Sequence, residues 1–364
     1  MKIGIYGGTF NPIHLGHMEA ARFALEYLAL DRLYLIPTGI PPHKRMDADA
    51  PEAAQRLEMV RLAAEALGPA VQVDDLELRR EGRSYTLVRA NGFPQIGPLN
   101  GKQLLRVLFA PPEGAERTEL RNFPRLPPAV EGKEHICSHQ QMEGGGGEYL
   151  DPAVYGYILR EGLYGAKQNL KALSLEELRC VALSMLRRKR VPHVLGTEQT
   201  AGELALRWGE DEETARRAAL LHDCTKKLNG EQHREIFRQY GVVLDGEERD
   251  EEKLYHAVSG AALAKHIFGA SDQIESAIRW HTTGKADMTT LEKIIYLADY
   301  IEPNRDFCDL AEMRELAFRD LDQAMLMGLE MSIESLEKRG VAVNSHSVRA
   351  REYLKGKRHE ERQA

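Results

Sequence analysis

Ala218-Ala219-Leu220-Leu221-His222-Asp223 carries four apolar residues at the end of a helical run straight into an imidazole and a carboxylate. A nearly apolar helix face delivers its last residues to an interior, where an ionised carboxylate needs a partner. The same arrangement recurs at Ile294-Ile295-Tyr296-Leu297-Ala298-Asp299, and a cation is the economical partner for both acids. Around these two stretches the chain is helix after helix. A capping box opens the run, with Ser174 three positions before Glu177, and the spacing predicts helices near 194–208, 212–227, 251–268, 272–281, 290–301 and 310–338. The second half is therefore expected to be all-α.

Six side chains in this half have metal-ligand chemistry: His193, His222, Asp223, His256, His281 and Asp299. Imidazole and carboxylate suit Fe, Mn, Co or Zn. Consecutive helical residues lie about 100° apart, so His222 and Asp223 meet one ion only at a corner where other helices join them. His193 and Asp299 are expected from those other helices. A lone His-Asp pair is more simply a surface or hydrogen-bonded core feature; the set carries the weight.

The first half has a different rhythm. A β-rich run at 2–6 ends in Gly7-Gly8, helical spacing follows over 15–30, and the pattern repeats as strand 33–37, helix 52–67 and strand 71–78. Strands alternating with helices imply a parallel sheet. The first turn reads Gly7-Gly8-Thr9-Phe10-Asn11-Pro12-Ile13-His14-Leu15-Gly16-His17. Its glycines let backbone approach a ligand, and free amides at a helix start favour phosphate. It fits neither a Walker loop nor a dinucleotide fingerprint. His14 and His17 fall on one helix side, able to donate hydrogen bonds to a phosphate in transfer.

From 87 to 143 no period is sustained, an unusual length for a loop inside a domain. A shifted reading frame, or a deletion with diverged filler, would produce such a stretch. His135, Cys137 and His139 alternate within it as strand-borne ligands could, although coincidence is the better account there. Gly144 to Gly147 reads as a linker or a turn, and a helix over 154–164 closes at Gly165.

At 364 residues two domains are the natural expectation. The balance of 43% hydrophobic and 29% charged residues is that of a globular chain. A net charge of -7 gives no general attraction for a nucleic-acid backbone, while small phosphorylated ligands remain allowed. No apolar run reaches membrane length, and Met1 leads directly into a strand. Cys137, Cys180, Cys224 and Cys308 lack paired spacing, so reduced thiols in a cytoplasmic protein are expected.

Val191-Pro192-His193, Leu221-His222-Asp223, Leu254-Tyr255-His256, Trp280-His281-Thr282-Thr283-Gly284 and the run from Ile295 through Ala298-Asp299-Tyr300-Ile301-Glu302-Pro303-Asn304-Arg305 together resemble the YqeK-type family of HD-domain proteins, the symmetrical diadenosine tetraphosphate hydrolases. The resemblance spans nearly the whole second half. It implies that His193, His222, Asp223 and Asp299 hold one divalent metal, Fe before Mn, Co or Zn, and that His256 with His281 serve a second. It further implies cleavage of diadenosine tetraphosphate to two ADP, with Asp223 at the reacting centre. Lys226, Lys227 and Arg305 follow ligand residues closely and are candidates for clamping the polyphosphate, against the plainer reading of the lysines as a solvated helix end. The basic run Arg187-Arg188-Lys189-Arg190 reads as a charge cluster at a helix C-terminus.

The glycine turn, Pro41-Pro42-His43-Lys44, the stretch around Arg56, Gly82-Arg83-Ser84-Tyr85-Thr86 and Glu148-Tyr149-Leu150-Asp151-Pro152 are similar to bacterial nicotinate-nucleotide adenylyltransferases. That likeness implies a Rossmann-like nucleotidyltransferase fold, ATP with Mg and nicotinate mononucleotide as ligands, His14 and His17 as catalytic residues, and Gly8, Thr9, Phe10, Asn11 and Lys44 in nucleotide binding. The family's Gly-x-Asp segment, its tryptophan region and its Ser-Ser-Thr-x-Ile-Arg triphosphate motif are absent.

The organisation expected is an adenylyltransferase-like domain at 1–168, irregular over 87–147, and an HD phosphohydrolase domain at 174–356. Two alternatives stand beside it. One is an HD hydrolase of another nucleotide or alarmone with the first domain as a nucleotide-binding remnant, and the other is a catalytically silent nucleotide sensor. A homodimer is compatible with either domain.

Overall fold

The computed structural model describes residues 1–39, 50–79, 104–109, 119–123, 146–166, 169–307 and 310–363. The chain divides into two compact units, Met1–Gln168 and Asn169–Ala364.

In the first unit β1 (Lys2–Gly8), α1 (Leu15–Tyr27), β2 (Arg32–Pro37), α2 (Ala53–Leu67) and β3 (Val71–Val73) alternate along the chain, as the changing period requires. β1 pairs parallel with β2, Gly4 opposite Leu33, and β2 pairs parallel with β3. Each parallel pair needs a crossover, which α1 and α2 supply. Leu33, Leu35, Met59, Val60 and Ala63 are buried between sheet and helices. β3 is shorter than the strand expected over 71–78, because Asp74 turns the chain: its Oδ1 accepts from the Leu76 amide at 2.9 Å, an Asx turn that ends the ladder.

The stretch read as structureless from 87 to 143 contributes β4 (Leu104–Phe109) and β5 (Glu119–Phe123). β4 lies antiparallel against β1 and β5 antiparallel against β4, giving the order β3-β2-β1-β4-β5. The parallel sheet expected is present as β3-β2-β1, and β4 and β5 extend it with antiparallel strands. Leu104-Leu105-Arg106-Val107-Leu108-Phe109 is strand-forming by composition, but too brief to show a period among the surrounding Gly, Pro and Arg. β1 therefore stands centrally, and its carboxyl end opens between neighbours of opposite direction, where open α/β sheets place ligands. α3 (Pro152–Glu161) starts on an Asp151 cap, whose Oδ1 accepts from the Ala153 amide at 2.9 Å, with Pro at its first position.

The second unit is helical: α4 (Leu175–Ser184), α5 (Val191–Trp208), α6 (Glu212–Leu221), α7 (Gly230–Tyr240), α8 (Gly246–Asp250), α9 (Tyr255–His266), α10 (Asp272–Trp280), α11 (Thr290–Ile301), α12 (Leu310–Arg319), α13 (Leu321–Lys338) and α14 (Ser345–Gln363). The expected capping box forms, Ser174 Oγ accepting from the Glu177 amide at 3.2 Å and the Glu177 carboxylate accepting from the Ser174 amide at 2.8 Å. Val181, Leu204, Leu220, Ile278, Ile294 and Leu297 fill the core, where α5 packs on α6 and α11, and α10 packs on α9 and α11. The single helix expected over 310–338 breaks at Asp320, which is extended and caps α13 by accepting from the Gln323 amide at 2.9 Å. No helix among the described residues is long and apolar enough to cross a membrane.

These helices end at one another. His193 and His256 occupy the first turns of α5 and α9, His222 and His281 follow the last residues of α6 and α10, and Asp299 lies in the last turn of α11.

Candidate functional site

All six ligand candidates converge. His193, His222 and Asp223 form one set, His222, His281 and Asp299 a second, and Asp223, His256 and His281 a third, with the potential ligand atoms of each set within 4.8 Å of one another. His193 Nε2 is 3.0 Å from Asp299 Oδ1 and 3.9 Å from Asp223 Oδ2, and His222 Nε2 is 3.6 Å from Asp223 Oδ2 and 3.9 Å from Asp299 Oδ1. On the other side of the same carboxylate, Asp223 Oδ1 is 3.5 Å from His256 Nε2 and 3.9 Å from His281 Nε2. Two atoms each about 2.1 Å from one ion can be at most about 4.2 Å apart, and every one of these separations fits. Asp223 thus faces two ligand groups, one with each oxygen.

The rings are aimed by their other nitrogens. His222 Nδ1 lies 2.6 Å from the Ala219 carbonyl, His256 Nδ1 2.7 Å from that of Lys253, and His281 Nδ1 2.7 Å from that of Ile278, each three residues upstream. His193 Nδ1 instead lies 3.1 Å from Glu302 Oε1. With Nδ1–H donating to oxygen, Nε2 carries the lone pair and points inward, the orientation that metal-bound imidazoles adopt.

Burial keeps the His222, His256 and His281 rings neutral. It holds His222 and His256 well below the usual histidine range, and brings His281 down to about 4. Burial acts to raise the Asp299 carboxyl, while the hydrogen bond of His193 and the charge that His222, His281 and His193 carry when protonated act to lower it, and the lowering prevails. His193 Nε2, His222 Nε2 and Asp223 Oδ1 are buried without a hydrogen bond. Such groups are costly to leave unmet, and their lone pairs converge on the same interior. The C-terminal ends of α6, α10 and α11 also point here, and a helix C-terminus favours positive charge. The donor set, its spacing and its unmet lone pairs fit a divalent cation.

Cations of the protein rim the cluster. The Arg190 guanidinium contacts Asp223 Oδ2, which corrects the reading of Arg187 to Arg190 as a helix-end cluster: Arg190 precedes the first residue of α5 and turns inward. Lys226 Nζ lies 2.7 Å from His256 Nε2 and 3.7 Å from Asp223 Oδ1, and burial lowers its pKa to about 8. Arg305 donates to Asp299 Oδ1 at 2.9 Å and to the Asp299 carbonyl at 3.2 Å. Lys227 is not brought in; its Nζ donates to the Ser184 carbonyl at 3.2 Å.

In the first unit the glycine turn leaves β1 and enters α1. His14 and His17 are both buried, ring centroids 3.7 Å apart, and the His14 amide donates to His17 Nδ1 at 3.2 Å. Burial lowers His14 to about 4 and holds His17 well below its usual value, His14 adding to the effect. His14 Nδ1 takes no hydrogen bond. The Phe10 ring is buried and packs edge-on against Tyr6 and His17. Asn11 Oδ1 accepts from Tyr164 Oη at 2.8 Å, and Arg56, itself buried, donates to the carbonyls of Thr9 at 2.6 Å, Thr38 at 2.8 Å and Gly39 at 2.8 Å. Gly8 and Thr9 lie at the end of β1 and just beyond it. Lys44, Gly82 to Thr86, and His135, Cys137 and His139 fall outside the described residues.

Three residues that serve these sites were not singled out from sequence. Arg190 and Glu302 act on ligands rather than being ligands, and Arg56 was noted only within a matching stretch. A buried Arg or Glu leaves little trace in one sequence, since exposed ones look identical.

Residues 190–304 match the model of the HD domain, and residues 5–100 that described as cytidylyltransferase-like. The symmetrical bis(5'-nucleosyl)-tetraphosphatase of Bacillus subtilis is 40% identical over 169 residues, covering 46% of this chain and 90% of that protein. A Mycoplasma pneumoniae protein named "Probable nicotinate-nucleotide adenylyltransferase/Ap4A hydrolase" is 25% identical across 92% of this chain and 99% of its own length. The "Probable nicotinate-nucleotide adenylyltransferase" of Caldicellulosiruptor saccharolyticus is 41% identical over 93 residues, 26% of this chain but only 46% of that protein. The chain thus spans less than half the length of the separate adenylyltransferase. A solved HD superfamily hydrolase from Clostridium acetobutylicum is 39% identical, covering 51% of this chain and 98% of that one with a TM-score of 0.49. An HD domain implies dependence on a divalent metal, in keeping with the clustered histidines and aspartates. Through its second unit the chain belongs to the family of symmetrical bis(5'-nucleosyl)-tetraphosphatases, with a cytidylyltransferase-like domain ahead of the HD domain.

Proposed function

We propose that residues 174–356 hydrolyse diadenosine tetraphosphate at its centre to two ADP. The observation that carries this reading is the convergence of four imidazoles and two carboxylates, Asp223 at their centre, with buried lone pairs that no hydrogen bond meets. His193, His222, Asp223 and Asp299 would hold one divalent ion, iron in the first instance and Mn, Co or Zn in its place, and His256 with His281 a second beside Asp223. When bound, a divalent ion supplies a water nucleophile at neutral pH and neutralises charge on phosphoryl oxygens.

The chain's own groups do the rest. One water adds across the central phosphoanhydride: its oxygen goes to one inner phosphorus, the bridging P–O bond breaks, and the protons are shared between the two ADP products and solvent. Lys226, 40% exposed, and Arg305, 37% exposed, reach from ligand residues to the open side, where charge-assisted hydrogen bonds can hold phosphate oxygens. Arg190 lies against Asp223 and balances its charge.

Residues 1–168 we read as a nucleotide-binding domain. His14, His17, Gly8, Thr9, Asn11 and Lys44 are the groups that would meet ATP, with its Mg, and nicotinate mononucleotide; the missing triphosphate motif argues that this domain binds without completing adenylyl transfer. Small nucleotides, rather than nucleic acid, are the partners a chain of net charge -7 favours. A cytoplasmic setting suits Cys180 and Cys224, which carry no disulfide. A homodimer remains compatible with this reading.

The test is to incubate the purified chain with diadenosine tetraphosphate, with and without chelator, and identify the products. ADP alone, formed only without chelator, is expected. ATP plus AMP, or turnover that ignores the chelator, would overturn the assignment; turnover of a different nucleotide or alarmone in its place would favour the HD hydrolase with a nucleotide-binding remnant.

A further inference from the structure

The turn after α11 does more than end a helix. Glu302 is buried there, with Oε1 at 3.1 Å from His193 Nδ1. Its other oxygen, Oε2, accepts from the Asn304 amide at 2.6 Å and from Asn304 Nδ2 at 2.9 Å, while Asn304 Nδ2 also donates to the Pro192 carbonyl at 2.9 Å. Arg305, next in the chain, holds Asp299. Arg314 donates to the carbonyls of Ile301 at 2.8 Å, Glu302 at 2.8 Å and Arg305 at 3.1 Å, which fixes the turn from behind. One short segment therefore sets the first turn of α5 against the last turn of α11, and with it the distance between His193 and Asp299.

The segment fits only because α5 has a notch. Gly196 lies one turn beyond His193, and a Cβ built there would fall 2.3 Å from Glu302 Oε2 and 3.0 Å from Asn304 Nδ2. Glycine is unfavourable inside a helix, and here its lack of a side chain is what admits the carboxylate. The end of a side chain can usually swing away from such a clash, but this one is buried and could do so only by breaking its bonds to His193 and Asn304.

We propose that Glu302 is a positioning residue for the metal centre, seated by the absent side chain of Gly196: it orients His193 so that Nε2 faces Asp299 and Asp223. The proposal rests on the metal-centre reading given above. A carboxylate behind a metal-bound imidazole fixes the ring and raises its basicity, and losing such a partner typically weakens metal affinity by about 10–100-fold.

The experiment is a double-mutant cycle on the full chain, stripped with chelator and titrated with Mn2+ by calorimetry, with the tryptophan-fluorescence melt of the stripped protein as the folding control. Glu302→Ala and Gly196→Ala are each expected to weaken Mn2+ binding by about 10–100-fold, and adding Gly196→Ala to Glu302→Ala is expected to cost nothing further, because the carboxylate it displaces is gone. If Glu302→Ala does not fold, Gly196→Ala, which keeps every polar group, carries the measurement alone. A folded Glu302→Ala protein with wild-type affinity would overturn the proposal while leaving the metal centre standing, and a Gly196→Ala penalty of equal size in both backgrounds would remove Gly196 from it. Failure of the wild-type chain to bind Mn2+ would overturn the metal-centre reading itself, and this inference with it.

Discussion

His193 Nε2 and Asp299 Oδ1, one from the first turn of α5 and one from the last turn of α11, lie 3.0 Å apart in the interior of the second unit. The Asp299 carboxyl is held ionised there and the His222 and His281 rings are held neutral. Such a pocket has negative charge and unshared lone pairs but too few protons to satisfy them, and its behaviour should follow from that deficit.

Asp223 presents one oxygen to His193 and His222 and the other to His256 and His281. Asp223→Asn keeps the shape and removes the charge. Lewis-acid stabilisation is worth several kcal/mol and each 1.36 kcal/mol is tenfold in rate, so kcat for diadenosine tetraphosphate should fall by at least about 100-fold. Elemental analysis of the purified variant should show metal lost in parallel.

Metal should also stabilise the fold. An ion at about 100 times its Kd adds roughly 2.7 kcal/mol to a state that binds it, and for a unit of this size each kcal/mol moves Tm by about 2–4 °C. Both tryptophans, Trp208 and Trp280, lie in the second unit, so a fluorescence melt reads it selectively. A rise of about 5–10 °C on adding Mn2+ to stripped protein is expected, and no rise in His222→Ala.

Adjacent lysines should part company. Lys226 reaches His256 and Asp223, whereas Lys227 reaches the Ser184 carbonyl. A hydrogen bond to a charged group is worth about 1.5–3 kcal/mol, so Lys226→Ala should lower kcat/KM by about 10–100-fold with metal content unchanged. Lys227→Ala should change it by less than about 2-fold, within the range usual for residues away from a site. Steady-state kinetics on the two variants decides the matter.

In the first unit, Arg56 donates to three carbonyls around the glycine turn. Leaving buried acceptors unmet costs about 1–3 kcal/mol each. Arg56→Met should therefore destabilise that unit by on the order of 3 kcal/mol, visible in urea unfolding by circular dichroism, while the tryptophan-monitored transition stays where it is.

The positions of these groups were legible in sequence to the extent that an apolar helix ended on a polar residue. Leu221 before His222 and Ala298 before Asp299 announce burial of an acid or an imidazole, and the six ligands followed. Glu302, Arg190 and Gly196 carry no such signal: each acts by touching a residue distant in sequence, and local pattern is silent about that. Asp320 offered a sign, an acid three residues before Gln323 as helix caps have, but the unbroken apolar period on both sides masked it. β4 was hidden for the opposite reason, a six-residue strand with five apolar side chains set among residues that break every period. Its antiparallel course beside β1 is a matter of pairing, which alternation within one strand does not encode.

Crystals of the second unit's metal-loaded form within the full chain, grown with Mn2+ and measured for anomalous scattering, examine the metal centre without recourse to turnover. A peak about 2.0–2.3 Å from His193 Nε2, His222 Nε2, Asp223 and Asp299 is expected. A well-ordered centre holding no anomalous peak at saturating Mn2+, or Mn2+ bound only elsewhere on the chain, would rule out the hydrolase mechanism proposed for it.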